Sequence, residues 1–215
     1  MPVRKIPKNY LGVTGGFSSA KNGRMLQFES PLERDYMILL EFDPHVMKFE
    51  EQPVKIPFKK GSKPYVPDLL IHYSNAPPAL VEVKTLEDLI KNEILYAPKF
   101  EKAVEFANAR GWDFRILTEK EIRVPRLGTL KFLRSYAHSH VSLIDIDRVI
   151  NALRVHKGSL PMNRLLDSIC SGKNERLNLI SVVWNLVLKN IILIDYDREL
   201  SDTTLLTLGN NYDPI

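Results

Sequence analysis

The composition of the 215-residue chain predicts a folded globular protein, because 44% of its residues are hydrophobic and 26% are charged. No apolar run reaches the ~18 residues that a membrane span needs, no secretory signal is expected at the N-terminus, and the single cysteine, Cys170, excludes an internal disulfide and a cysteine-rich zinc site. The formal net charge of +4 permits a polyanionic partner, and we expect a cytoplasmic location.

Residues 1–29 are predicted to form a basic N-terminal arm. They lack hydrophobic periodicity and contain Gly15-Gly16. The first 24 residues hold five Lys or Arg and no acidic residue, and residues 1–150 contain 23 basic against 19 acidic residues. Such an arm is able to neutralise DNA phosphates. A solvated tail without a ligand is an equally acceptable interpretation.

Residues 30–118 alternate between helical and strand patterns. Ser30 and Pro31 are predicted to begin a helix that ends near residue 41. A second helical region covers 86–110, with an interruption near Pro98 and a stop at Gly111. Alternating or apolar runs typical of strands cover residues 46–49, 54–58, 65–73, 79–85 and 112–118. This order indicates an α/β fold with a mixed sheet flanked by helices.

After about residue 137 the pattern becomes that of an α-rich domain. Helical apolar spacing covers residues 143–155, 161–169 and 177–190, and strand patterns follow at 191–196 and 203–208. Three helices followed by two strands is the order of a winged-helix module. We therefore predict two domains, residues 1–137 and residues 138–215.

The residues that point to chemistry lie on two apolar strands joined by a turn. Pro67-Asp68 is followed, fourteen residues after the aspartate, by Glu82-Val83-Lys84. Glu82 and Lys84 share one face of a strand, and a neighbouring strand is able to bring Asp68 beside them. Two carboxylates suit a hard divalent ion that activates water for attack on a phosphate, and Lys84 would stabilise the developing negative charge. The alternative is a surface hairpin with a cross-strand Glu–Lys pair.

Glu33 admits two interpretations. Ser30-x-x-Glu33 has the spacing of a capping box, in which the glutamate serves only the helix N-terminus. Glu33 also shares a side of the predicted helix with Met37 and Leu40, so it is able to point inward to a metal. Gln52 is a weaker candidate for the same site, and a plain turn residue is an equal alternative.

These motifs resemble a known family. Pro67-Asp68 and Glu82-Val83-Lys84 match the PD-(D/E)xK signature of restriction-endonuclease-like nucleases. The neighbouring text is similar to that of TnsA, the endonuclease subunit of heteromeric bacterial cut-and-paste transposases. The segments that carry this similarity are residues 30–36, 40–44, 51–53 and 117–122. The resemblance covers roughly residues 28–125 by motif and 140–210 by layout only.

The resemblance implies a metal-dependent DNA endonuclease that cuts the 5′ ends of a transposon in concert with a TnsB-like transposase. It assigns the catalytic set to Glu33, Asp68, Glu82 and Lys84, and it assigns the metal to Glu33, Asp68 and Glu82 with the backbone carbonyl of Val83 as a further ligand. It implies Mg²⁺, with Mn²⁺ as the expected substitute, and double-stranded DNA as substrate. The alternatives are a stand-alone restriction or repair nuclease and a non-catalytic DNA-binding or assembly factor.

Residues 138–215 are predicted to bind a partner protein, a TnsC-like ATPase by the resemblance, more than DNA. Residues 151–215 carry equal numbers of acidic and basic side chains, and the helix predicted at 177–190 offers only Lys189 to phosphates. Its apolar residues exceed what one side of a small core needs, so some of them are expected to contact a protein. These residues are Leu177, Ile180, Val183, Trp184, Leu186 and Val187.

Overall fold

The computed structural model describes residues 13–58, 63–137 and 139–209. The chain divides into two compact units, Met1–Val124 and Pro125–Ile215. The first unit is an α/β fold and the second is mainly helical. None of the helices in the described ranges is both long and apolar enough to span a membrane.

The first unit begins with an antiparallel hairpin of β1 (Gly15–Ser19) and β2 (Arg24–Phe28). Alternate strand residues point to opposite sides, and those on the inner side enter the core. The buried apolar residues of the hairpin are Phe17, Leu26 and Phe28. The prediction of an arm is therefore wrong for residues 15–28. Their few apolar side chains show no periodicity in the sequence, and they become buried only when the hairpin packs in the folded unit. Residues 1–12 lie outside the described part of the chain.

Two of the basic residues that were attributed to the arm hold the hairpin in place. The Lys21 ammonium donates to the backbone carbonyls of Asp43 at 2.6 Å and Val46 at 2.5 Å. The Arg24 guanidinium binds both carboxylate oxygens of Glu51, at 2.7 and 2.6 Å. A bidentate pair of this kind is geometrically specific. These two side chains are thus structural and contribute little to an electrostatic arm.

Helix α1 (Pro31–Phe42) begins where the sequence predicts. Ser30 is the N-cap residue, its Oγ accepts a hydrogen bond from the Glu33 N–H at 3.1 Å, and Pro31 occupies the first turn. Met37 and Leu40 are buried on the inner side of the helix. The cap and the apolar spacing together fix the position and the rotation of α1.

A four-stranded mixed sheet follows, which confirms the predicted α/β class. Its strands lie in the order β3-β4-β5-β6, with antiparallel pairing up to β5 and a parallel pair at β5-β6. Every residue of β5 is buried, as expected for an interior strand. The strands are β3 (Val46–Glu51), β4 (Leu69–Tyr73), β5 (Ala79–Val83) and β6 (Asp113–Leu117).

The segment between β3 and β4 contains less strand than the sequence predicts. The expected strand at 54–58 is reduced to an isolated bridge between Ile56 and Tyr65, and β4 starts only after Asp68. Pro57, Pro64 and Pro67 account for this difference, because a proline has no N–H to donate to a β-ladder.

The helices that connect β5 to β6 are α2 (Leu86–Lys91) and α3 (Glu93–Asn108). The helical region is interrupted at Asn92 and not near Pro98, which lies inside α3. The Asn92 side-chain amide donates to Asp88 Oδ1 at 2.7 Å, a local bond that competes with helix continuation. A short helix, α4 (Glu119–Ile122), then follows β6.

The second unit starts thirteen residues before the boundary expected from the sequence. Its first helix, α5 (Pro125–Arg134), has no counterpart among the predicted elements, and it places Leu133 in the core of this unit. The three predicted helices are present. They are α6 (Leu143–Val155), α7 (Met162–Ile169) and α8 (Lys173–Leu188).

A small antiparallel sheet in the order β7-β9-β8 completes the second unit. Strand β7 (Ser159–Pro161) was not predicted, whereas β8 (Ile192–Leu193) and β9 (Leu205–Leu208) lie inside the two predicted strand segments. The winged-helix assignment itself stays a prediction.

The prediction that α8 carries surplus apolar residues is wrong for most of them. Helices α5, α6 and α7 and strand β8 all contact α8. The members of the predicted set that are buried are Val183, Trp184, Leu186 and Val187. Of the two others, Leu177 is 59% exposed and Ile180 is half-buried. Helix α8 is therefore a central helix, surrounded on several sides.

Candidate active site

Asp68, Glu82 and Lys84 meet where β4 begins and β5 ends. Asp68 directly precedes β4, Glu82 lies in β5, and Lys84 comes directly after β5 Val83. The Lys84 Nζ is 2.7 Å from Glu82 Oε1 and 3.4 Å from Asp68 Oδ2. Asp68 Oδ2 also accepts the Val83 N–H at 2.8 Å. The antiparallel pairing of the two strands thus produces a compact cluster of two carboxylates and one ammonium group.

Both backbone polar groups of Val83 are engaged in this cluster. Its N–H donates to Asp68, and its carbonyl oxygen accepts a hydrogen bond from Lys84 Nζ at 3.2 Å. Lys84 therefore has three acceptors, from Asp68, Glu82 and Val83, which matches the three N–H donors of an ammonium group.

Glu33 lies in the first turn of α1 and is only 8% exposed. Its Oε2 accepts a hydrogen bond from the Glu29 N–H at 2.9 Å, so the carboxylate serves the residue before the N-cap and not the N-cap itself. Burial and the charge of Asp68 raise the pKa of Glu33 to about 7. The side chain thus both supports the start of the helix and lies within electrostatic reach of Asp68.

The carboxyl groups of the cluster are electrostatically crowded. Burial and the neighbouring Asp68 raise the pKa of Glu82 to about 7, and burial raises the pKa of Asp68 although Lys84 acts in the opposite direction. Burial lowers the pKa of Lys84, but the charges of Asp68 and Glu82 outweigh it and raise the pKa overall. One ammonium group therefore does not fully compensate three adjacent carboxylates.

The carboxylates of this cluster and the Val83 carbonyl have the chemistry of ligands for a hard divalent cation. Carboxylate and carbonyl oxygens are the ligands that such ions prefer, and a cation would offset the burial and the repulsion that raise the carboxyl pKa values. Among the residues that the structure describes, no three His, Cys, Asp or Glu side chains already stand in a metal-binding arrangement. The Lys84 ammonium provides a positive charge that contacts both Asp68 and Glu82.

The cluster opens into a cavity of about 490 Å³. Asp68, Glu82 and Lys84 all line it, together with several further charged and aromatic side chains. The additional lysines and tyrosines of its wall are Lys55, Lys63, Lys99, Tyr65 and Tyr96. The cavity thus combines an acidic centre with a basic periphery.

Tyr65 is a residue of this site that the sequence analysis missed. Its hydroxyl donates a hydrogen bond to Glu82 Oε2 at 2.7 Å in the interior of the unit. Burial and the Glu82 carboxylate raise the pKa of the Tyr65 hydroxyl, so it keeps its proton. The predicted strand at 65–73 gives no signal for this contact, because residues three apart, such as Tyr65 and Asp68, point to opposite faces of a strand. In the structure Tyr65 lies before β4.

Gln52 supports the site through its backbone. Its N–H donates to the Asp68 carbonyl at 2.8 Å, and its φ of 45° is a left-handed conformation that costs a non-glycine residue energy. The side chain is buried, and its Oε1 has no hydrogen-bond partner among the described residues. Gln52 is therefore a strained contact of Asp68, and the structure shows no role for its amide group.

A mixed sheet that brings an aspartate and a Glu-x-Lys pair together at the junction of two adjacent strands is the arrangement of restriction-endonuclease-like nucleases. Residues 43–119 match the family described as TnsA-like endonuclease N terminal, and the chain therefore contains a TnsA-like endonuclease domain. The match spans β3 to β6 and includes Asp68, Glu82 and Lys84, whereas Glu33 precedes it. A comparison with curated proteins gives no significant match.

Proposed function

We propose that the protein is a Mg²⁺-dependent endodeoxyribonuclease of a transposition machinery. It would hydrolyse phosphodiesters at the 5′ ends of the transposon while a TnsB-like transposase acts at the 3′ ends. The observation that carries this proposal is the direct contact of Lys84 with both Asp68 and Glu82 inside a TnsA-like endonuclease domain. A stand-alone restriction or repair nuclease would use the same residues, so the transposition context rests on the family match.

Asp68 and Glu82 would hold the metal ion, with Glu33 and the Val83 carbonyl as further oxygen donors. The ion would neutralise charge on the scissile phosphate and lower the pKa of a bound water. Water then attacks phosphorus, the bond to the 3′ oxygen breaks, and the products are a 5′-phosphate and a 3′-hydroxyl.

Lys84 would stabilise the negative charge that develops on the phosphoryl oxygens. All three of its N–H groups have acceptors at 2.7, 3.2 and 3.4 Å, so it must exchange one of them to reach the substrate. The 3.4 Å contact with Asp68 is the weakest and the one we expect to open. The two shorter contacts would keep the ammonium group aimed at the cavity.

The basic periphery of the cavity supports DNA as the substrate. Lys55 and Lys63 lie on the segment between β3 and β4, and Lys99 lies on α3. The described residues supply none of these three side chains with a salt bridge. They are therefore available to contact backbone phosphates on either side of the scissile bond.

Replacement of Asp68 tests the enzymatic proposal. In an assay with transposon-end DNA, Mg²⁺ and the partner proteins, Asp68→Ala should abolish 5′-end cleavage while the fold is retained. His72→Ala is a suitable control because His72 lies on β4, which Asp68 directly precedes, but its side-chain partner among the described residues is Glu50, at 3.0 Å. Cleavage by Asp68→Ala at the wild-type rate would refute the proposed site.

We also propose that a TnsC-like ATPase docks on the second unit, which includes residues 138–215. In support, this unit contains a largely apolar cavity of about 600 Å³ whose wall includes Ile180 and Phe132, and Phe132 is 43% exposed. Phe132→Asp should weaken ATPase binding by the full-length protein, whereas Leu143→Asp, at an exposed apolar residue outside this wall, should not. Equal binding by both variants and the wild type would contradict this docking site.

A further inference from the structure

The Glu82 carboxylate is held at both of its oxygens. Oε1 is 2.7 Å from Lys84 Nζ, and Oε2 accepts the Tyr65 hydroxyl at 2.7 Å. Glu82 is only 4% exposed and Tyr65 is 9% exposed, so water has little access to compete for these bonds. Lys84 belongs to the catalytic set itself, whereas Tyr65 has no part in the chemistry described above.

The rotation of a glutamate carboxylate about its last side-chain bond is weakly restricted by the covalent structure. One hydrogen bond at Oε1 fixes the position of the group, and a second at Oε2 fixes its plane. A carboxylate oxygen has two lone-pair sites, so each oxygen of Glu82 keeps one site for a cation after it accepts these bonds. The Tyr65 contact therefore orients the carboxylate without blocking it as a ligand.

Tyr65 is itself well anchored. Its backbone N–H and carbonyl both pair with Ile56, at 2.9 and 2.8 Å. Its ring packs edge-on against Phe100, with 6.4 Å between the ring centroids. Pro64 restricts the backbone directly before Tyr65. A donor held from both its backbone and its ring is able to fix the position of the group that it contacts.

From this geometry we infer that Tyr65 is a positioning residue, which fixes the orientation of the Glu82 carboxylate and thereby raises the affinity of the site for its divalent cation. The inference rests on the proposed function, since it assumes that Glu82 is a metal ligand. Tyr65 acts through Glu82 and does not contact the reacting phosphate.

Tyr65→Phe removes only the hydroxyl and retains the ring contact and the backbone bridge. Partners that orient a ligand commonly change metal affinity or activity ~10–100-fold. We expect Mn²⁺ binding to the DNA-free, full-length variant, measured by calorimetry, to weaken by at least ~10-fold. The Mg²⁺ concentration for half-maximal cleavage should rise by a similar factor, with an unchanged KM for DNA at saturating metal.

Tyr96→Phe is the matched control. Tyr96 lines the same cavity and its hydroxyl donates to Asp88 Oδ2 at 2.7 Å, but it makes no hydrogen bond to the catalytic set. The control should retain wild-type Mn²⁺ affinity, and the thermal unfolding of both variants should stay close to that of the wild type.

The outcomes separate the two proposals. If the wild type binds Mn²⁺ and cleaves DNA while Tyr65→Phe equals it in metal affinity, the positioning role is refuted even if the variant is less stable. If the wild type neither binds Mn²⁺ nor cleaves DNA with its partners present, the proposed function itself is refuted, whatever the result for Tyr65→Phe. Weaker Mn²⁺ binding in Tyr65→Phe than in Tyr96→Phe supports the inference.

Discussion

At the scale of single residues, Glu33 supports the start of α1 and is proposed to serve the metal site as well. It accepts a backbone hydrogen bond from Glu29, and the charge of Asp68 contributes to its raised pKa. Glu33→Gln separates these functions, because the glutamine oxygen is able to accept the same bond but carries no charge. We expect the variant to lose most of its cleavage activity, while the free energy of unfolding at pH ~5, where the carboxyl group of Glu33 in the folded protein is protonated, changes by no more than about 1 kcal/mol.

Cleavage kinetics together with denaturant unfolding test this expectation. The matched change Glu29→Gln alters a neighbouring charge and leaves the backbone N–H of residue 29 in place. Wild-type turnover by Glu33→Gln would show that the helix cap is the only function of Glu33.

The crowded carboxyl groups also predict how stability depends on pH. The pKa values of Glu33 and Glu82 are raised from 4.5 to about 7, so the folded protein binds more protons than the unfolded chain between these two values. Their contribution to stability is complete below pH ~4.5 and is lost as the pH rises through ~7. The ionisation of Glu33 and Glu82 should therefore lower the Tm of the metal-free protein by at least a few degrees between pH 5 and pH 8.

Thermal unfolding of the wild type and Glu33→Gln across this pH range isolates the contribution of Glu33 to the change in Tm. The variant lacks one titrating carboxyl group, so its Tm should fall less steeply with rising pH. Saturating Mg²⁺ should also flatten the wild-type dependence, because bound cation stabilises the ionised carboxylates. Parallel curves of Tm against pH for the wild type and the variant would show that Glu33 does not contribute to the pH dependence.

At the scale of elements, α3 offers two lysines one turn apart with different surroundings. Lys99 lines the catalytic cavity and lies 5.4 Å from the centre of the Tyr96 ring, whereas Lys102 forms a 2.5 Å ion pair with Glu105. If Lys99 contacts a phosphate, Lys99→Ala should reduce the slope of log K against log salt concentration by ~0.9. Lys102→Ala should leave this slope nearly unchanged.

DNA binding by the full-length protein, measured at several salt concentrations, gives both slopes. Equal slopes for the two variants would exclude a phosphate contact that is specific to Lys99.

Element positions were predictable where local chemistry sets them. Ser30 and Pro31 begin α1, and Gly111, with a φ of 67°, follows the end of α3. The predictions failed where pairing with a distant segment decides the structure. The hairpin of residues 15–28 has few apolar side chains, and the prolines of residues 53–67 remove ladder donors from a segment whose composition otherwise favours strands.

At the scale of the whole molecule, the position of the boundary between the two units has a measurable consequence. Helix α5 contacts α8 and places the buried Leu133 in the core of the second unit. Loss of one buried leucine costs about 2–5 kcal/mol, which is a large part of the total stability of a typical domain. A fragment of residues 125–215 should unfold cooperatively, and a fragment of residues 138–215 should not.

Circular dichroism during thermal unfolding distinguishes the two fragments. A cooperative transition at the same temperature in both would place α5 outside the folding unit and support the boundary expected from the sequence.

The sequence by itself determined the α/β class, the start of α1, and the spacing that allows Asp68 to meet Glu82 and Lys84. These features depend on caps, turns and alternation over a few residues. Only the tertiary structure decided that Lys84 contacts both carboxylates, that the Tyr65 hydroxyl holds Glu82 from 17 residues away, and that α8 is surrounded by its neighbours. The physical reason is that a hydrogen bond or a buried face depends on which distant segments the fold brings together. The local periodicity of the sequence does not determine these long-range contacts.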